Sequence, residues 1–228
     1  MSITQNIIQA AGVKNAAEAQ MLAGCGVTHV GLPLRLAVHA PDVTEDAARD
    51  IVAALNGRCE TVCITYLESA AETLALCCFL GVTGVQLHGP MPLSEVQALR
   101  RAAPTLYIIK SLVVGAGTEA EILALARAQA PYVDAFLTDT FDPVSKASGA
   151  TGKVHDWAVS RRLVRELPRP LILAGGLTPQ NVGAAIQAVK PAGVDAHTGL
   201  ENAAGDKDQA LVERFVAEAR AAWAVQRD

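Results

Sequence analysis

A single-domain (β/α)8 (TIM) barrel is the α/β fold class that this 228-residue sequence predicts, on three observations. Short β-rich runs alternate with Ala-rich helical runs, a helix after each of eight strands. The β-rich runs are nearly continuous in apolar residues rather than alternating, as strands of a parallel sheet covered on both faces are. No G-x-G-x-x-G follows the first strand, which argues against an open doubly wound sheet. No break in composition suggests a second domain, so one barrel is expected over residues 1–228.

In chain order, "NIIQAA" (6–11) is the first strand and leads to a helix over 16–24. "THVGLPL" (28–34) is followed by a helix over 45–55, and "ETVCITY" (60–66) by one over 70–80. The short run "GVQLH" (84–88) precedes a helix over 92–103. "LYIIKSLV" (106–113) precedes one over 119–129. "VDAFLTD" (133–139) opens the one long connection, "DTFDPVSKASGATGKVHD" (139–156), before a helix over 156–166. Its Gly, Ser and Lys content and its length mark it as a functional βα loop. "PLILAG" (170–175) is followed by a helix over 178–189, and "GVDAHTG" (193–199) by a last helix from about 208 to 227.

Bulk composition excludes several function classes. The chain is 51% apolar and 18% charged, enough to bury a core and too weakly charged for disorder. A formal net charge of -4, without a run of Lys or Arg, argues against a nucleic-acid surface. No apolar run approaches the roughly 18 residues needed to span a bilayer. "MSITQNIIQAAGVKN" has neither the basic nor the long apolar segment of a signal peptide. Five cysteines, Cys25, Cys59, Cys63, Cys77 and Cys78, are an odd number, expected as reduced thiols in the cytoplasm. Cys59, Cys63, Cys77 and Cys78 read as small core residues, and Cys25 as a loop residue entering the second strand. No His/carboxylate cluster stands at metal-ligand spacing, so chemistry without metal or cofactor is expected.

In a barrel of this kind, function sits at the C-terminal ends of the strands, and phosphate commonly sits in the loops after strands seven and eight. Those loops here are "AGGLTPQN" and "DAHTGLEN". Two glycines leaving a buried strand let a ligand approach the backbone, and a helix start there would face an anion. Gly175, Gly176, Thr198 and Gly199 are therefore expected to offer backbone N–H groups to a phosphate.

Six segments stand out in order and spacing: "GVQLHG" (84–89), "IIKS" (108–111), "DAFLTDT" (134–140), "GATGKVHDW" (149–157), "PLILAGGLTPQNV" (170–182) and "GVDAHTGLENAAGDKD" (193–208). Together they resemble the phosphoribosylanthranilate isomerase family of tryptophan biosynthesis. The resemblance implies an aldose–ketose isomerase that turns an aldosylamine into a 1-amino-1-deoxyketose. That Amadori rearrangement needs a general acid to open the ring and a general base to take the C2 proton. By the resemblance, Asp139 is the acid; a carboxylate that merely caps its loop is the plain alternative. Gln86 and His88 are implied as substrate contacts.

The base departs from the family. Its Lys-Ile-Cys-Gly motif is here Gln9, Ala10, Ala11 and Gly12, so Ala11 stands in place of the cysteine. After the second strand, "LAVHAPDV" (36–43) offers Ala40 or Pro41 where the family has an arginine near the aromatic ring. In the last phosphate loop His197 replaces a serine. The base is thereby unassigned, with His88 and His197 as candidates; beside a phosphate the pKa of His197 would rise, which suits anion binding better. Lys14 is read as solvated or phosphate-directed, and Lys110, if inward, as a partner for a carboxylate or a Schiff-base lysine. Trp157 is expected to pack, Asp156 to cap its helix, and Arg161 and Arg162 to face water.

The loss of cysteine and arginine at one end of the site favours an enzyme that acts on a related phosphosugar or sugar-amine. The family reaction with a substitute base is the alternative, and a non-catalytic phosphosugar binder or partner protein is a third reading. In each case a small phosphorylated sugar is the expected ligand, with no nucleic acid or membrane partner.

Overall fold

A computed structural model of the chain describes residues 5–36, 40–115, 117–140 and 156–225. Eight parallel strands close into a barrel in chain order. They are β1 (Ile7–Ala11), β2 (His29–Pro33), β3 (Glu60–Thr65), β4 (Gly84–Leu87), β5 (Tyr107–Val114), β6 (Ala135–Thr140), β7 (Leu171–Leu173) and β8 (Gly193–Ala196). Eight helices follow them: α1 (Ala16–Cys25), α2 (Glu45–Leu55), α3 (Ala70–Leu80), α4 (Leu93–Ala102), α5 (Glu119–Gln129), α6 (Trp157–Glu166), α7 (Val182–Val189) and α8 (Gln209–Val225). The expected fold class and order of elements are those observed.

Helix starts are set by side chains that accept from orphan backbone N–H groups. Asn15 caps α1, Thr44 caps α2, Ser69 caps α3, and Thr118 with Glu121 forms a reciprocal capping box on α5. Asp156 caps α6 through Ala158 N at 2.9 Å, as expected. Trp157 packs against the core. Arg161 and Arg162 are exposed, and Arg162 also pairs with Glu119 on α5.

The core has two parts. A large outer layer packs strand faces against helices. A smaller inner cluster fills the barrel axis with Ile7, Ala11, Val62, Ile64, Tyr107, Ile109, Ala135, Leu137, Ile172 and Ala174. The period of two along each strand decides which side chains point inward. On β5 it sends Tyr107, Ile109 and Ser111 to the axis and Lys110 outward. The condition for a carboxylate partner or a Schiff base at Lys110, an inward side chain, is therefore not met: its Nζ donates to Leu87 O at 3.1 Å and Gly89 O at 2.6 Å, outside the barrel.

Three smaller expectations are corrected. Cys25 is the last residue of α1 rather than a loop residue, although it still lies before the N-terminal end of β2. Cys78 is exposed and Cys59 half-buried, while Cys63 and Cys77 are buried as expected. The seventh helix begins at Val182 instead of 178. The segment between is held as a local turn: Thr178 N donates to Asn181 Oδ1 at 2.8 Å and Asn181 Nδ2 donates to Gly176 O at 2.9 Å. Short polar side chains that bond nearby backbone compete with helix in this way. No helix among the described residues is long and apolar enough to cross a membrane.

Candidate active site

His29 and Tyr107 enter the barrel at the starts of β2 and β5, while Gln86, Ser111, Asp139 and Asp195 lie nearer the C-terminal ends of their strands. On β1 the inward residues are Ile7, Gln9 and Ala11, so Gln9 stands below Ala11. Strand register pairs Gln9 with Asp195 on β8. It also pairs Leu173 with Val194, and Thr138 with Leu173. One residue further on, Ala174 therefore stands between Asp139 on β6 and Asp195 on β8. Both carboxylates face the same end of the barrel, separated by a methyl group.

A directed chain of hydrogen bonds crosses the barrel. Gln9 Nε2 donates to Gln86 Oε1 at 2.9 Å, and Gln86 Nε2 donates to Ser111 Oγ at 3.2 Å. The Ser111 hydroxyl then has its own proton for His88 Nδ1 at 3.1 Å. That sequence makes Nδ1 the acceptor and leaves the proton of a neutral His88 on Nε2. His88 Nε2 faces Asp139 Oδ2 at 3.7 Å, and Tyr66 lies against the imidazole with ring centroids 4.8 Å apart.

Asp139 is 7% exposed, and its Oδ1 accepts from the Thr140 backbone N–H at 2.7 Å. Burial pushes its pKa up to about 6, against the opposing pull of that hydrogen bond. Asp195 is only partly buried, but its Oδ1 is covered and has no hydrogen-bond partner among the described residues. Its pKa is raised to about 7, by burial first and by the charge of Asp139 second, with Gln9 and Lys207 pulling the other way.

The loops after β7 and β8 meet. Gly175 and Gly176 both adopt positive φ, at 100° and 61°, which explains why glycines leave the strand there. Thr198 and Gly199 lie in a 3-10 turn, Thr198–Leu200. A Cβ on Gly199 would overlap Leu177 O, so only glycine lets the two loops approach this closely. Next to them the His197 ring lies over Gly12. His197 Nε2 faces Glu201 Oε1 at 3.2 Å, and Lys207 Nζ bonds the same oxygen at 2.7 Å and His197 O at 3.1 Å. Burial and Lys207 hold the pKa of His197 below its ordinary value here.

The structure thus gathers Gln86, His88 and Asp139 on one side of the mouth and Gly175, Gly176, His197, Thr198 and Gly199 on the other. Lys14 is directed to the loop after β8, onto Gly205 O at 2.5 Å and Asp206 Oδ1 at 3.2 Å. Ala40 and Pro41 are exposed. Residues 37–39 and 141–155, which include most of the long loop and of "GATGKVHDW", lie outside the described residues. Sequence reasoning missed Gln9, Ser111 and Asp195. A period-two count from Ala11, which puts Gln9 inward, was the available signal.

Known proteins match this chain over most of its length. The model of N-(5'-phosphoribosyl)anthranilate (PRA) isomerase matches residues 9–218. The chain belongs to the PRA isomerase family. "N-(5'-phosphoribosyl)anthranilate isomerase 2" of Methanosarcina mazei is 39% identical over 218 residues, covering 93% of each chain. The solved PRA isomerase of Thermotoga maritima superposes with a TM-score of 0.79 at 25% identity, covering 95% of this chain and 99% of that one. Another PRA isomerase structure holds reduced 1-(o-carboxyphenylamino)-1-deoxyribulose 5-phosphate; at 23% identity and a TM-score of 0.78, covering 95% of this chain and 99% of that one, it speaks for the fold alone.

Proposed function

We propose that this chain catalyses the rearrangement for which the PRA isomerase family is named, converting phosphoribosylanthranilate to its 1-deoxyribulose isomer. Sequence alone favoured a changed substrate, because Ala11 removes the family's cysteine. The relatives support the family reaction better: a chain 39% identical across nearly its whole length is itself named a PRA isomerase.

The observation within the site that supports the reading is Asp139. Opening a ribosyl ring requires a proton for the ring oxygen at near-neutral pH. A carboxyl buried at the end of β6, its pKa raised to about 6, retains that proton where an ordinary aspartate does not. Gly175, Gly176, Thr198 and Gly199 are assigned to the phosphate, with His197 beside them. Gln86 and His88 are assigned to the sugar, His88 as a hydrogen-bond donor from Nε2. The substrate's two ends are then held apart, and the reacting carbons lie over the barrel axis.

Complementation tests the reading. A tryptophan auxotroph that lacks this isomerase is expected to grow when it carries the natural chain and not when it carries Asp139→Asn. Soluble protein with no growth from the natural chain would refute it and return the search to other phosphorylated sugars.

A further inference from the structure

We infer that Asp195 is the general base of this barrel, taking the C2 proton in place of the cysteine that Ala11 replaces. This assignment rests on the rearrangement proposed above.

Three observations lead to it. The two imidazoles near the mouth are both committed as donors. The chain from Gln9 through Gln86 and Ser111 fixes the His88 proton on Nε2, and His197 Nε2 faces the Glu201 carboxylate. Neither nitrogen that faces a carboxylate has a lone pair to offer a C–H bond. Asp195, by contrast, has a covered oxygen, Oδ1, with no hydrogen-bond partner among the described residues, in a residue that keeps partial exposure, and a Gln9 side-chain hydrogen bond favours its charged form. Finally, the neighbours of Asp195 in register on the mouth side are small. Ala174 stands beside it on β7, and on β1 Ala11 stands one inward position above its partner Gln9. A cysteine at position 11 would put a sulfur on the mouth side of the carboxylate, where alanine puts only a methyl group.

The chemistry balances without a co-reactant. Asp139 gives its proton to the ring oxygen as the C1–O bond breaks and the nitrogen lone pair forms the C1=N iminium. Asp195 takes the proton from C2. The C2–H electron pair becomes the C1=C2 bond, and the C=N π pair returns to nitrogen, giving an enaminol. Loss of the C2 hydroxyl proton and return of one proton to C1 complete the ketose. One carboxyl and one carboxylate are needed at the start. Two acids raised to about 6 and about 7 titrate as a pair that holds one proton across that range; that proton rests mainly on Asp195, and the step runs from the less populated arrangement with it on Asp139.

The test compares the purified natural protein with Asp195→Asn, Asp195→Ser and the double variant Asp195→Asn with Ala11→Cys. Turnover is measured against pH, and binding of reduced 1-(o-carboxyphenylamino)-1-deoxyribulose 5-phosphate is measured separately. Charged and polar groups acting on Asp195 are Asp139 on β6, Gln9 on β1 and Lys207 before α8, and all three are retained in every variant. Both single variants are expected to lose at least about 100-fold in kcat. Binding of the reduced compound should change by less than about threefold, which also shows that the variants fold. Adding the cysteine should restore at least tenfold, with the basic limb of the pH profile moved to that of a thiol. An Asp195→Asn protein within tenfold of natural kcat would overturn the assignment while leaving the isomerase reading intact. So would a loss that cysteine does not rescue in a folded protein that binds the compound. A natural protein that binds the compound yet never turns over would instead sink the isomerase reading, and this assignment with it.

Discussion

Asp139 and Asp195 flank Ala174 across three adjacent strands, and each is held protonated to a higher pH than a free aspartate. For stability, the sign follows from proton uptake. The native state binds the Asp139 proton up to about pH 6, whereas the unfolded chain releases it near 3.8. Stability from this group is therefore fully present below 3.8 and is lost as pH rises through about 6. The shift corresponds to about 3 kcal/mol. Asp139→Asn is expected to abolish turnover and yet stabilise the fold by up to that amount at pH 8, with the gain gone near pH 4. Urea melts at the two pH values check this; equal effects at both would show that burial does not set the Asp139 pKa.

His197 and Gly12 share one space, because the imidazole occupies the position where a Cβ on Gly12 would stand. Gly12 also has φ of 75°, which L side chains rarely adopt. Gly12→Ala is expected to cost more than about 1 kcal/mol of stability and to push His197 off the phosphate side of the mouth. The measurements are a denaturation curve and the affinity for inorganic phosphate. An alanine variant with natural stability and affinity would mean that the β1 loop yields freely.

Glu201 neutralises a lysine that has no exposure at all. Lys207 has a side-chain exposure of 0%, and its pKa is lowered by burial and restored in part by Glu201. Glu201→Gln removes the ion-pair partner nearest to that cation, leaving Glu18, Asp195 and the His197 carbonyl, and is expected to destabilise the fold by about 2 kcal/mol at pH 7. The cost should shrink as pH rises, because burial makes Lys207 give up its proton more readily than a free lysine. A cost that does not change with pH would locate it in lost packing instead.

How much of this was legible in the sequence depended on the kind of signal. Element order and most boundaries followed from apolar runs and caps; α2, α3 and α5 begin and end where the patterns place them. The glycine loops were legible because Gly175 and Gly176 announce a backbone conformation. Gln9 and Asp195 were not, because a strand covered on both faces is apolar on both, and such a run does not say which side chains enter the barrel. The direction of Lys110 was left open for the same reason. The start of α7 was missed because Thr178 and Asn181 bond to local backbone, a competition that composition alone does not resolve.

The pairing of β1 with β8 has a consequence for how the molecule is made. Ile7 and Gln9 find their partners only at Gly193 and Asp195, and α8 ties the seam through Trp223 Nε1 to Pro191 O and Arg220 to Gly26 O. The strand pairs and the Arg220 bond join parts of the chain nearly two hundred residues apart, so their entropy of closure is met before any of their bonds forms. On the ribosome, the early βα units must wait with one flank of β1 unpaired until β8 has emerged. The carboxylate pair and the glycine loops after β7 and β8, all borne on the second half of the chain and bridged to β1, come together at that same moment, so a nascent chain does not gather these groups until synthesis is nearly done.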